Sequence, residues 1–115
     1  MEKISLDVVQ KKIFLAPFPF SDLSLEKVRP VLVISNDIYN DSSDDVIVCA
    51  ISSKLDKFNS VSLSSEDLDE GILFKKSIIK FDSLFKLEKS LLLKSIGIIS
   101  DDKFDFVKGK ILELF

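Results

Sequence analysis

Two short runs of apolar, largely β-branched residues, VLVI at 31–34 and VIVCAI at 46–51, limit what this chain can become. Val and Ile pack well on a pleated surface, and runs this short are strands buried on both faces more readily than helices. We read them as neighbouring strands. Ser35-Asn36-Asp37 breaks the first, and the polar IYNDSSDD forms the connection to the second. Upstream, KIFLAPFPF (12–20) predicts a strand that stops at its prolines, which cannot donate to a ladder. The following SDLSLEKV is polar and without period, a loop feeding Arg29-Pro30.

Downstream, Val61 and Leu63 alternate with Ser60, Ser62 and Ser64, the pattern of a half-exposed strand over 59–64. EDLDEG predicts a charged turn ending at Gly71, and residues 77–81, 84–87 and 91–99 predict further short strands, the last with Gly97 near its end. That makes five to seven strands. The tail changes period. Ser100 is placed as an N-cap, Asp101 and Asp102 set negative charge at the positive end of a helix dipole, and Phe104, Val107, Ile111 and Phe115 recur at helical spacing. The expected fold class is mainly β: a small curled sheet or partly open barrel with one C-terminal α-helix.

A length of 115 residues with 46% hydrophobic content suffices for one core, so 1–115 is expected to be a single domain. No apolar run reaches the length of a membrane span, and MEKISLDVVQKK lacks the basic-then-apolar order of a signal peptide; a cytoplasmic protein is expected. The chain has one Cys and no His, which leaves no zinc site of Cys/His type, no intrachain disulfide and no imidazole base. Cys49, inside an apolar run, is expected to be a small buried hydrophobe. A net charge of −3 and a pI near 4.9 oppose phosphate binding by the chain as a whole. The charges are segregated, however. Acids cluster at 41–45 and 66–70, whereas Lys75, Lys76, Lys80, Lys86, Lys89 and Lys94 share one stretch, which permits a local positive face.

The segment APFPFSDLSLEKVRPVLVISNDIYNDSSDDVIVCAISS resembles the N-terminal half of the MazF/PemK toxin family over residues 13–53. The resemblance is carried by a PFPF-type first strand, the R-P-apolar-L-V-I strand start at Arg29-Pro30, and the A-I-S strand end at Ala50-Ile51-Ser52. A weaker similarity continues through SIIKFDSLFKLEKSLLLKSIGIIS and the terminal helix. The resemblance implies an SH3-like partly open barrel forming a homodimer. It also implies sequence-selective, metal-independent cleavage of single-stranded RNA by 2′-hydroxyl attack, with no cofactor, and neutralisation by a cognate antitoxin protein. The matching positions for the family's catalytic pair are Arg29 and Ser52. Two departures stand out: Lys11-Lys12 occupies the place where the family usually has Gly-Asp, and Ser52 replaces the commoner threonine while keeping its hydroxyl.

RNA carries its own nucleophile, so a site needs only to stabilise phosphorane charge and manage protons. A guanidinium fork suits phosphate oxygens, and a serine hydroxyl can donate to the same group. The candidate substrate contacts are Phe18 and Phe20 for base stacking, Ser21 and Asp22 in a loop that could cover the site, Ser53, Lys54 and Lys57 for flanking phosphates, and Ser77 and Asp82 for a base edge. Each has a plain structural counterpart. Arg29 can be a strand-entry charge paired with Asp22 or Glu26, Ser52 can cap a backbone group, and most of the ten Phe must be core. A CcdB-type gyrase poison, which grips a protein partner, and an inactive relative of the family are the competing functions; neither needs Arg29.

Overall fold

In the computed structural model, residues 7–17, 28–55 and 58–115 are described. Among the described residues, seven antiparallel strands form one sheet in the order β4-β6-β3-β2-β1-β7-β5. They are β1 (Lys12–Pro17), β2 (Val28–Val33), β3 (Asp45–Ser52), β4 (Ser60–Leu63), β5 (Leu68–Gly71), β6 (Ser77–Glu88) and β7 (Lys94–Ile99). A short helix α1 (Asp37–Ser42) joins β2 to β3, and α2 (Asp101–Leu112) ends the chain. The predicted Lys12 strand is present as far as Pro17; Phe18 and Phe20 lie outside the described residues.

The two apolar runs pair as expected, Val31 opposite Ala50, Leu32 opposite Cys49 and Val33 opposite Val48. They are apolar throughout because both faces of the central strands are covered. Ile13, Leu32, Cys49 and Ile51 face a core that also takes Phe104 and Val107 from α2. Their neighbours Phe14, Val31, Val33 and Val48 point the other way, into a second core with Leu87 and Leu92. The sheet therefore curls into a half-barrel: one face wraps round its own side chains and the other is closed by the helix. Ser100 caps α2 by accepting from the Lys103 N–H at 3.2 Å. Phe104 and Val107 are buried, whereas Phe115 falls past the helix end and is exposed.

Four expectations need correction. The polar connection after Asn36 is helical, because Asn36 caps it by accepting from the Tyr39 N–H at 2.8 Å and buried Asn40 donates to the Ser35 carbonyl at 2.9 Å. Side-chain capping replaces the apolar period that was missing from the sequence. EDLDEG is no simple turn: a 3-10 turn over Ser65–Asp67 leads into β5, a charged edge strand paired with β7. There Gly71, at φ +94, faces Gly97 so closely that a Cβ on Gly71 would sit 2.2 Å from the Ile96 carbonyl oxygen. Residues 77–81 and 84–87 are one strand, β6, which bends opposite Cys49/Ala50 where its register shifts instead of ending. Finally, β7 starts at Lys94, after a 3-10 turn over Lys89–Leu91. No helix of the described residues is long and apolar enough to cross a membrane.

Lys11, at the position where a glycine was expected, has φ +82, in the left-handed region. Its backbone is fixed there from two sides. The Lys11 N–H donates to the Val33 carbonyl at 3.0 Å and the Ile99 N–H donates to the Lys11 carbonyl at 3.0 Å, which ties the ends of β2 and β7 together. The Lys11 ammonium also donates to the Asp101 carboxylate at the start of α2, and that bond holds it above the usual lysine range. The strand entry thus exchanges glycine's backbone freedom for a cross-fold ion pair. Lys11→Gly is expected to keep the thermal midpoint within ~5 °C of the parent, because strain relief offsets the lost pair; Lys11→Met, which is unbranched like lysine and so keeps the strain while losing the pair, should melt below Lys11→Gly in a calorimetric scan.

Candidate RNA-cleavage site

The site lies where β2 begins and β3 ends. The β2–β3 ladder ends at Val31 and Ala50, and two residues beyond it on each strand stand Arg29 and Ser52. On the other side of β3, Ser52 pairs with Ile78 of β6, which places Ser77 at the same end of the sheet. Arg29, Ser52, Ser53, Lys54 and Ser77 all line one cleft of about 450 Å³. Arg29 and Ser52 are both half-buried, Ser53 and Lys54 exposed, and Ser77 buried.

The loop between β5 and β6 closes the far side of the cleft with Phe74 and Lys75. Arg29, Lys54 and Lys75 thus bring three cations to a cleft with no carboxylate among its described lining residues, in a chain of net charge −3. Of the lysine stretch 75–94 only Lys75 lines this cleft; Lys86 pairs with Asp45 and Lys89 donates to the Asn40 carbonyl, so the three cations come from three separate segments.

Ser52 Oγ accepts from the Lys54 N–H at 3.1 Å, so the strand-end capping role is present. That bond uses an acceptor lone pair, and the hydroxyl proton remains a donor. Ser77 Oγ donates to the Lys75 carbonyl at 3.2 Å and helps to shape the loop. Asp82 is not brought to the cleft: it accepts from Asn59 Nδ2 at 3.1 Å, further along β6. Phe18, Phe20, Ser21, Asp22 and Lys57 lie outside the described residues. Phe74 and Lys75 were not among the sequence candidates for the site; their signal is a lone aromatic followed by lysines in a connection between strands. Among the described residues, no group of three or more His, Cys, Asp or Glu is gathered to hold a metal ion.

A curled antiparallel half-barrel with one C-terminal helix, and with cations and hydroxyls lining a cleft at one end, defines a class of small β protein. Within that class the chain belongs to the PemK-like, MazF-like toxins of type II toxin–antitoxin systems, whose family model matches residues 10–115. It is 31% identical over 84 residues to an endoribonuclease MazF of Staphylococcus saprophyticus, covering 73% of this chain and 70% of that protein. Its fold is similar to that of MazF in a MazE-MazF crystal structure from Deinococcus radiodurans, with a TM-score of 0.77 at 19% identity, covering 95% of this chain and 96% of the other. It is also similar to an endoribonuclease from a mycobacterial species solved with its cognate antitoxin, with a TM-score of 0.73 at 15% identity over 92% of both chains.

Cys49 takes no part in this site. Its side chain is wholly buried, Sγ donates to the Lys80 carbonyl at 2.9 Å, and burial, aided by the Asp82 charge, pushes the thiol up to about 12. At pH 8 the native thiol is therefore protonated as well as covered. A colorimetric thiol reagent at pH 8 should leave the folded protein unmodified over minutes and titrate one thiol at once in denaturant; rapid reaction of the folded protein would contradict this placement of Cys49.

Proposed function

We propose that this chain is an endoribonuclease toxin that cuts single-stranded RNA, without a metal ion, at a phosphate held between Arg29 and Ser52. The observation that carries the reading is the convergence of Arg29 and Ser52 in one cleft with Lys54 and Lys75, from the paired strands β2 and β3. The relative named as an endoribonuclease supports the same activity.

The chemistry needs little more than this. The substrate's 2′-oxygen attacks the adjacent phosphorus, the 2′-proton leaves to water, and the P–O5′ bond breaks as the 5′-oxygen takes up a proton. The products are a 2′,3′-cyclic phosphate and a 5′-hydroxyl. Negative charge accumulates on the two non-bridging oxygens, where the Arg29 guanidinium can deliver two parallel N–H donors. The Ser52 hydroxyl donates from the other side, with its oxygen positioned by the Lys54 N–H. Lys54, with Ser53, engages a flanking phosphate, and Ser77 stands close enough to the cleft to meet a base edge. Residues 18–27 lead directly into β2, and there Phe18, Phe20, Ser21 and Asp22 complete the set of proposed substrate contacts. A protein that inhibits only by gripping a partner has no use for this convergence of fork and hydroxyl.

As a type II toxin, the chain acts in the cytoplasm as a homodimer and is neutralised by a cognate antitoxin protein; solved relatives in complex with their antitoxins support that partner. The purified chain should cut a long single-stranded RNA at an undiminished rate in EDTA, leaving cyclic-phosphate and 5′-hydroxyl ends. Arg29→Ala should slow cleavage about a thousandfold and Ser52→Ala about a hundredfold, the scale of losing a preorganised donor to a developing oxyanion. Undiminished cleavage by Arg29→Ala would remove the guanidinium from the mechanism. Growth arrest with no RNA cut would turn the reading toward a protein-gripping toxin.

A further inference from the structure

Phe74 is 96% exposed, the highest exposure among the chain's large hydrophobic side chains in the described residues. An apolar ring held in water gains free energy when it is covered, and what sets Phe74 apart from other exposed apolar side chains such as Ile38 and Phe58 is its place on the cleft. The position is also unusually well fixed. On one side, Ser65 Oγ both accepts from the Leu73 N–H at 2.8 Å and donates to the Leu73 carbonyl at 3.1 Å. On the other, Ser77 Oγ holds the Lys75 carbonyl at 3.2 Å. The residues immediately before and after Phe74 are thus pinned by side chains from separate elements, so the ring stands on an anchored backbone.

The ring also sits at a junction. Phe74 and Lys75 line the Arg29–Ser52 cleft, and both line a second recess of about 390 Å³ with Ser64, Ser65, Glu66 and Lys76. They form the ridge between the two. Lys75 and Lys76 follow the ring, and Glu66 is the carboxylate of the second recess.

Accordingly, we propose that Phe74 is a base-stacking platform that grips a nucleotide next to the scissile phosphate while Lys75 and Lys76 engage the backbone on either side. This rests on the nuclease reading above and names a binding residue within it. The occupant is single-stranded RNA because the ring lines the same cleft as Arg29, Lys54 and Lys75 and is followed by Lys75 and Lys76. Every base offers a π-face, so stacking here contributes binding strength and register with little base discrimination. Phe74 touches no reacting atom in this arrangement, and its loss acts on binding more than on the chemical step.

The test is the steady-state cleavage of a single-stranded RNA by the wild-type chain and by Phe74→Ala, Phe74→Leu and Phe74→Tyr. The ring is outside both cores, so all three variants should fold. Phe74→Ala and Phe74→Leu should raise KM about tenfold with kcat within about twofold of wild type, and Phe74→Tyr, which keeps the π-face, should restore KM. The chain has no Trp, so Phe74→Trp supplies a single reporter. Its emission should be quenched saturably by an all-2′-deoxy oligothymidylate, which can bind but cannot be cut. Cleavage by the wild-type chain with an unchanged KM in Phe74→Ala overturns the platform and leaves the nuclease reading standing. A KM restored equally by Phe74→Leu overturns stacking as its cause. Loss of antitoxin binding in Phe74→Ala at unchanged KM assigns the ring to a protein partner instead. No cleavage by the wild-type chain overturns both readings together.

Discussion

The antiparallel register between β2 and β3 is the constraint on which the rest depends. In a strand, a slip of one residue sends every side chain to the opposite face, so the pairing of Val31 with Ala50 fixes where everything beyond it points. This register is strongly specified because both faces are buried: a slip would exchange Leu32 and Cys49, which face the helix-covered core, with Val31, Val33 and Val48, which face the other. The same alignment that satisfies two cores also carries Arg29 and Ser52 to adjacent positions at the open end of the sheet. The register that buries both cores is therefore also the one that positions the cleft, and a slip would disturb the two together.

Around this pair the fold concentrates charge that the composition conceals. A chain of net charge −3 cannot attract a polyanion through its average field. Within a Debye length of a phosphate, the local arrangement decides, and there the cleft presents Arg29, Lys54 and Lys75 while many of the acids lie elsewhere. Asp45 pairs with Lys86, Asp67 with Lys103 and Asp101 with Lys11, so these carboxylates are engaged with cations outside the cleft. The positive face follows from where the strands end.

Much of the fold was legible from the sequence because its signals were local. Continuous apolar runs marked the doubly buried strands, and Ser100 with the spacing of Phe104 and Val107 marked the terminal helix. What escaped was set by tertiary contacts or by polar capping. Helix α1 has almost no apolar face and is held by Asn36 and Asn40. The acidic strand β5 exists because β7 offers it an edge and two glycines let the backbones approach. The bend in β6 continues a ladder that sequence reasoning ended. At the proposed site, Arg29 and Ser52 were named through the motif, whereas their meeting in one cleft is set by the pairing of β2 with β3. Asp82 does not line the cleft, since it accepts from Asn59 further along β6, and Phe74 was not named because a ring in a polar connection has no periodicity to announce it.

If one phosphate is gripped jointly by a guanidinium and a hydroxyl, the two side chains must act as a unit, and a double-mutant cycle on the cleavage rate measures this directly. The account predicts that Arg29→Ala combined with Ser52→Ala is scarcely slower than Arg29→Ala alone, because the hydroxyl has no oriented oxyanion left to serve. Losses that multiply in full, as for residues acting on separate steps, would contradict the shared phosphate site at the end of β2 and β3.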